Sequence, residues 1–222
     1  MIEVYLEIAP KRTFASALDW PGWCRPGRDP EAALAALFGS GPRYQRAIAG
    51  ARLGFRAPRE RAALRVVERR RGNATTEFGA PGVEAGADRH PVEEGDRRRF
   101  ERLLRACWRA FDRAEEGAHG QRLTTGPRGG GRSLDGIVRH VIEAEESYVK
   151  ALGWKAPRGE RDAAARRQGV RDAVLQGLAA SVRGDIPSRG PRGGRRWTPR
   201  YFVRRVTWHA LDHAWEIEDR IP

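Results

Sequence analysis

Residues 198–220, TPRYFVRRVTWHALDHAWEIEDR, decide how the chain is read. Thr198 is an N-cap residue and Pro199 suits the first helical turn, where its missing N–H is no loss. A helix therefore starts here and runs to about Arg220. Within it His209 and His213 stand four residues apart. At a rise of about 1.5 Å per residue their rings project from one face about 6 Å apart, close enough to share one metal ion.

Working back from this helix, residues 185–197 are a Gly, Pro and Arg loop, preceded by a helical stripe of Val170, Val174, Leu175, Leu178 and Val182 over about 163–182. Before it, Ser133 caps a helix whose apolar positions are Leu134, Ile137, Val138, Val141 and Tyr148 and which Gly153 ends. Further back, Phe100, Leu103, Leu104, Cys107, Trp108 and Phe111 form the stripe of a helix capped by Asp96. Four helices of about 20 residues each predict an antiparallel four-helix bundle over 96–222.

His140 lies mid-helix among the apolar positions of the second of these helices. A buried imidazole without a partner costs about 1–3 kcal/mol, so three helical histidines on two helices need a reason. Metal ligation is one. The others are a satisfied core histidine at 140 and pairing of His209 or His213 with Asp212, Glu216 or an arginine. His90 and His119 have no periodic context.

The segments Arg139-His140-Val141-Ile142-Glu143-Ala144-Glu145 and Trp208-His209-Ala210-Leu211-Asp212-His213-Ala214-Trp215-Glu216 resemble the DinB superfamily. The resemblance covers about 96–222. It implies a four-helix bundle in which His140, His209 and His213 hold a divalent metal, zinc or nickel, with further coordination positions open. That family includes transferases using mycothiol, bacillithiol or glutathione, so a low-molecular-weight thiol and a small electrophilic substrate are the implied partners. A metal lowers the pKa of a bound thiol and presents a thiolate. Glu143, one turn from His140, is the candidate for orienting it. Arg196, Arg200 and Arg204, with Arg192 and Arg195, are candidates for receiving an anionic group or are simply a solvated face.

The N-terminal part has a different period. Ile2, Val4, Leu6 and Ile8 alternate with Glu3, Tyr5 and Glu7, as in a half-buried strand, and Thr13 to Leu18 make a second strand. Asp29 and Pro30 open a helix over about 31–38. A strand pair over 64–69 and 75–78, turned at Gly72-Asn73, completes a small domain over 1–78. Residues 79–95, with no periodic apolar pattern, read as a linker. Thr13 to Leu37, with Trp20-Pro21-Gly22-Trp23-Cys24, is similar to the strand, turn and helix of HicB-like antitoxin modules. The fold class is thus α+β.

Composition bounds the rest. At 222 residues and 40% hydrophobic content, the chain can bury one large core or two modest ones. No apolar run reaches the roughly 18 residues of a membrane span, and residues 1–4 do not open a signal peptide, so a soluble cytoplasmic protein is expected. Two cysteines, Cys24 and Cys107, offer neither a disulfide scaffold nor a cysteine zinc site. The net charge of +13 arises from 42 basic residues of which only Lys11, Lys150 and Lys155 are lysine. That skew is what codon bias in a GC-rich genome writes, and without aromatic-interleaved basic strands or a zinc finger it argues against nucleic acid. The alternative function is a non-enzymatic binding protein that uses the HicB-like module and the Arg-rich surface for nucleic acid or a protein partner. Oligomeric state is not legible in the sequence.

Overall fold

The computed structural model describes residues 1–125, 131–156 and 162–222. The chain divides into two compact units, Met1–His90 and Pro91–Pro222. The first is a mixed four-stranded sheet with helices and the second is helical, so the class is α+β.

In the first unit β1 (Ile2–Ile8), β2 (Thr13–Ala17), β3 (Cys24–Gly27) and β4 (Leu64–Arg71) lie in the order β3-β2-β1-β4. The pairs β1/β2 and β2/β3 are antiparallel, and β1/β4 is parallel with a register shift between Val4 and Tyr5. Helix α1 (Pro30–Gly39) packs on β2 and β3 and is capped by Asp29, whose carboxylate accepts from the Ala32 N–H at 2.8 Å. Gly27 allows that packing: a Cβ there would stand 2.2 Å from the Ala33 backbone nitrogen. Helix α2 (Gly41–Ile48) adds Tyr44 to an aromatic cluster with Trp20, Trp23 and Phe55.

Three sequence expectations change here. The 64–69 and 75–78 hairpin does not form; β4 runs parallel beside β1, and Ala74–Phe78 is a short helix, α3. The reason is Asn73, whose side chain accepts from the N–H groups of Thr75 and Thr76 while Thr76 Oγ1 accepts from the Asn73 N–H at 2.8 Å. This capping box competes with the turn and wins. Second, β1 is buried on both faces, with Tyr5 and Glu7 as inaccessible as Val4 and Leu6. Third, the 79–95 segment is not a free linker. The Glu7 carboxylate accepts from the backbone of Gly82 at 2.8 Å and Val83 at 3.1 Å and from the Thr76 hydroxyl, and Ala85 and Asp88 are buried. Residues through His90 therefore belong to the first unit. A buried carboxylate must be hydrogen-bonded, and this segment's backbone satisfies it.

The second unit contains α4 (Glu94–Gly117), α5 (Leu134–Leu152), α6 (Ala163–Arg183) and α7 (Pro199–Glu218). Asp96 lies within the first turn of α4 rather than at its cap. Ser133, Asp162 and Thr198 cap the other three through their side chains. Paired contacts give the helix directions. Arg167 and Arg171 of α6 reach Glu115 and Asp112 of α4, so α4 and α6 run antiparallel. His140 meets His209, and the Trp197 N–H reaches the Ala151 carbonyl, so α5 and α7 are antiparallel too. In contrast Arg200 meets Asp96 at one end while Arg220 meets Thr124 at the other, making α4 and α7 parallel. Likewise Glu146 faces Arg166 and Leu152 faces Gly177, making α5 and α6 parallel. The antiparallel expectation therefore describes two of these neighbouring pairs and not the other two. Helix α7 packs on α4, α5 and α6 and is buried along almost all of Tyr201–Ile217. Among the described residues no helix is long and apolar enough to cross a membrane.

Candidate metal centre

Because α7 is enclosed by three helices, both of its histidines point inward: His209 is 5% exposed and His213 9%. Antiparallel α5 brings half-buried His140 opposite them. The Nε2 of His209 lies 3.2 Å from Nε2 of His140 and 3.2 Å from Nε2 of His213, and the ligand atoms of the trio all fall within 4.8 Å of one another. The rings meet at interplanar angles of 61°, 84° and 79°, converging by their edges rather than stacking. Two ligand nitrogens about 2.0–2.1 Å from a tetrahedral zinc would stand about 3.3 Å apart. Two of the three separations already have that value.

The protons of the trio do not close on themselves. His213 Nδ1 lies 2.7 Å from Glu216 Oε2, so this nitrogen donates to the carboxylate, and in neutral His213 the Nε2 is a bare lone pair. One proton on His209 Nε2 serves one neighbour and leaves His209 Nδ1 as an unmatched acceptor. A proton on Nδ1 instead sets two lone pairs against each other. Buried Nδ1 has no hydrogen-bond partner among the described residues in either case. A cation accepting three Nε2 lone pairs removes the conflict, so the donor set fits a divalent metal with borderline-soft preferences.

Electrostatics favour the ligating form. Burial first, and then His213, His140 and Arg205, hold His209 well below the ordinary imidazole range. Burial, His213 and Arg132 lower His140, with Glu143 and Glu216 opposing. Glu216 is kept anionic by its hydrogen bond to His213 and by Arg220, whose Nη1 lies 2.8 Å from Oε1. The orienting carboxylate of the cluster is thus Glu216. Glu143 acts on His140 as a charge only, and no hydrogen bond joins them.

No protein-family model, curated protein or solved structure matches the chain. The site therefore rests on its own geometry.

His140 opens onto a cavity of about 310 Å³ lined by Arg132, Ser133, Gly136, Arg139 and Glu143. The arginines singled out in the sequence lie elsewhere. Arg200 clamps Asp96 and the Pro91 carbonyl, Arg204 is 4% exposed, and Arg196 donates to the Pro187 carbonyl at 3.2 Å. Besides Arg132, a cation close to the trio is Arg205, which the sequence did not distinguish. Its guanidinium lies 5.2 Å from the Tyr148 ring centroid and 5.1 Å from that of Trp208, and Nη2 donates to the Tyr148 hydroxyl at 3.2 Å. The Tyr148 ring in turn sits 5.7 Å from that of His209. Neither cysteine offers a nucleophile here: both are buried, and burial pushes the Cys107 thiol up.

Proposed function

We propose that the helical unit binds one divalent transition metal, zinc or nickel, through Nε2 of His140, His209 and His213, and that it acts as a DinB-like metal-dependent thiol transferase on a small electrophile. The observation that carries the metal site is the convergence of three imidazole edges at 3.2 Å contacts, with one nitrogen already fixed by a carboxylate. The transferase extension rests on the resemblance of residues 139–145 and 208–216 to that superfamily.

The bound metal would supply Lewis acidity that keeps a thiol deprotonated near neutral pH. The chain supplies the rest. Glu216 holds the proton of His213 on Nδ1, which keeps Nε2 available and fixes the ring. The cavity beside His140, lined by Arg132 and Arg139, is where a small molecule reaches the cluster, and these cations favour an anionic group there. Arg205, held by three aromatic faces, adds its charge to the burial and the neighbouring imidazoles that hold His209 below the ordinary imidazole range.

The test is metal content and affinity. Chelator-stripped protein should take up about one zinc or nickel per chain, and His140→Ala, His209→Ala and His213→Ala should each weaken binding beyond the roughly 10–100-fold typical of outer-sphere changes. His90→Ala and His119→Ala should leave it unaltered. Metal-loaded protein should then conjugate a thiol from a mycothiol, bacillithiol or glutathione panel with an electrophile, and lose that activity on chelation. Absence of stoichiometric uptake refutes the site; uptake without conjugation refutes the transferase.

A further inference from the structure

A second cavity, of about 850 Å³, lies at the far end of α5, where Lys150, Trp154, Lys155, Arg195 and Arg196 surround a glycine-rich turn. Lys150 is ten residues beyond His140, about 15 Å along the helix, so the cavity is separate from the histidine trio. Its volume falls in the range of small-molecule sites, roughly 300–1,000 Å³.

Three features set it apart from an ordinary arginine-rich surface. First, the chain has 42 basic residues and only three lysines, and two of those three line this one cavity. Composition alone would have put arginine there. Second, among the described residues none that lines it is acidic, and neither lysine nor Arg195 has a carboxylate partner. Lys150 also occupies the last turn of α5, where a cation offsets the negative helix end. That accounts for one charge of the four. Third, the walls are fixed in advance. Gly153, at φ +100°, lets the Arg196 side chain cross the end of α5; a Cβ there would stand 2.5 Å from Arg196 Cδ. The Arg196 guanidinium is then held by the Pro187 carbonyl. Trp154 is braced against Gly177, where a Cβ would meet its side chain at 3.1 Å. Across from them the turn at 190–194 is closed by Gly190 N–H to the Gly194 carbonyl at 2.8 Å and by Arg189 to the Gly193 carbonyl at 2.8 Å.

Four cations around a half-buried indole match a ligand that combines a multiply charged anion with an aromatic ring. Lysine ammonium groups bind phosphate as point charges, arginine adds a fork that takes two oxygens, and an indole face stacks on a base. We propose that this cleft binds a nucleoside di- or triphosphate, with the phosphates between Lys150, Lys155, Arg195 and Arg196 and the base against Trp154.

The test titrates full-length, chelator-treated protein with ADP by calorimetry at about 0.15 M salt, with pyrophosphate, adenosine and a thymidine oligomer as separate arms. ADP should bind saturably at one site, pyrophosphate should bind more weakly and compete with it, and adenosine should not bind measurably. Lys155→Ala and Arg195→Ala, both at exposed positions, should each weaken ADP by about 10-fold or more, as loss of a charged hydrogen bond does. Arg98→Ala, on α4, should not. The His140→Ala chain should bind ADP as before, so failure of the metal site would not touch this result. Absence of saturable ADP binding, indifference to both variants, equal affinity for pyrophosphate and ADP, or binding of the oligomer in place of ADP would each overturn the proposal.

Discussion

Replacing Glu216 by Gln probes the metal centre without removing a ligand. Glu216 Oε2 accepts the His213 Nδ1 proton at 2.7 Å and Oε1 accepts from Arg220 at 2.8 Å. The variant keeps size and one acceptor but loses the charge. A hydrogen bond to a charged group contributes about 1.5–3 kcal/mol against about 1 for a neutral pair, so some 1–2 kcal/mol of ligand orientation is lost. That corresponds to roughly 5–30-fold in affinity at about 1.4 kcal/mol per decade, within the roughly 10–100-fold range of such carboxylates. Competition with a zinc-chelating dye would measure it, with the melting temperature of the metal-free protein recorded alongside because Arg220 also loses its anion. Glu143→Gln serves as the comparison and should change affinity less than about threefold, since it touches His140 only through space. If Glu143→Gln weakens zinc as much as Glu216→Gln does, or if Glu216→Gln changes nothing, the assignment of the orienting carboxylate is wrong.

Three further outcomes follow from the same contacts. Glu145 is buried, accepts from Trp108 Nε1 at 2.7 Å, and is pushed up to about 7 chiefly by desolvation. Its folded form binds a proton that the unfolded chain releases, so it contributes stability that is full below about pH 4.5 and lost as pH rises through about 7. The change amounts to roughly 3 kcal/mol; denaturant midpoints between pH 5 and 8 should fall for the natural chain and flatten in Glu145→Gln, and parallel curves would refute it. His140 and His209 are lowered, so the unfolded state takes up protons first, and the metal-free protein should lose stability as pH falls below about 6.5; His209→Ala should remove part of that loss, and an unchanged acid slope would count against the burial described. Limited digestion with a protease of broad specificity such as subtilisin should cut in the exposed stretch at residues 89–95 and spare residues 79–88, which are tied down through Glu7; cleavage within 79–88 would restore the linker.

What could be seen in the sequence was local, and what could not was set by partners distant along the chain. The stripe from Phe100 to Phe111 and the caps Ser133 and Thr198 depend on neighbours within a turn, and each gave its helix. The alternation in β1 correctly marked a strand, but Tyr5 and Glu7 are covered because residues 76–83 return to satisfy one carboxylate, an event that period-two patterning does not carry. Asn73 shows a local signal misread: its side chain can serve a hairpin turn or a helix cap, and Thr76 three residues on was the cue for the cap. The pairing of His209 with His213 was visible as spacing. His140 joins them only because α5 runs against α7, and helix direction came from ion pairs such as Arg200–Asp96 that no spacing rule supplies. Spacing was also blind between the two carboxylates. Glu143 and Glu216 each follow a histidine by three residues, yet only the second reaches its ring.

The charge around the trio bears on what would fill the open positions of a bound metal. Three neutral imidazoles leave a dication with its full charge, and the carboxylates nearby are Glu216, already committed to His213 and Arg220, and Glu143 at the cavity. Against them stand Arg205, held on Tyr148 and Trp208, and Arg132 and Arg139 at the cavity. With a metal in place the local balance is positive, in a site whose inner histidine is 5% exposed and where screening is weak. A neutral ligand such as water leaves that charge standing, whereas a thiolate or carboxylate offsets it. Arg205 therefore has two effects of the same sign: it adds to the burial and the neighbouring imidazoles that lower His209, and it raises the preference of the completed site for an anion. This is the electrostatic ground on which a thiol, bound as its thiolate, suits the cluster better than an uncharged substrate does.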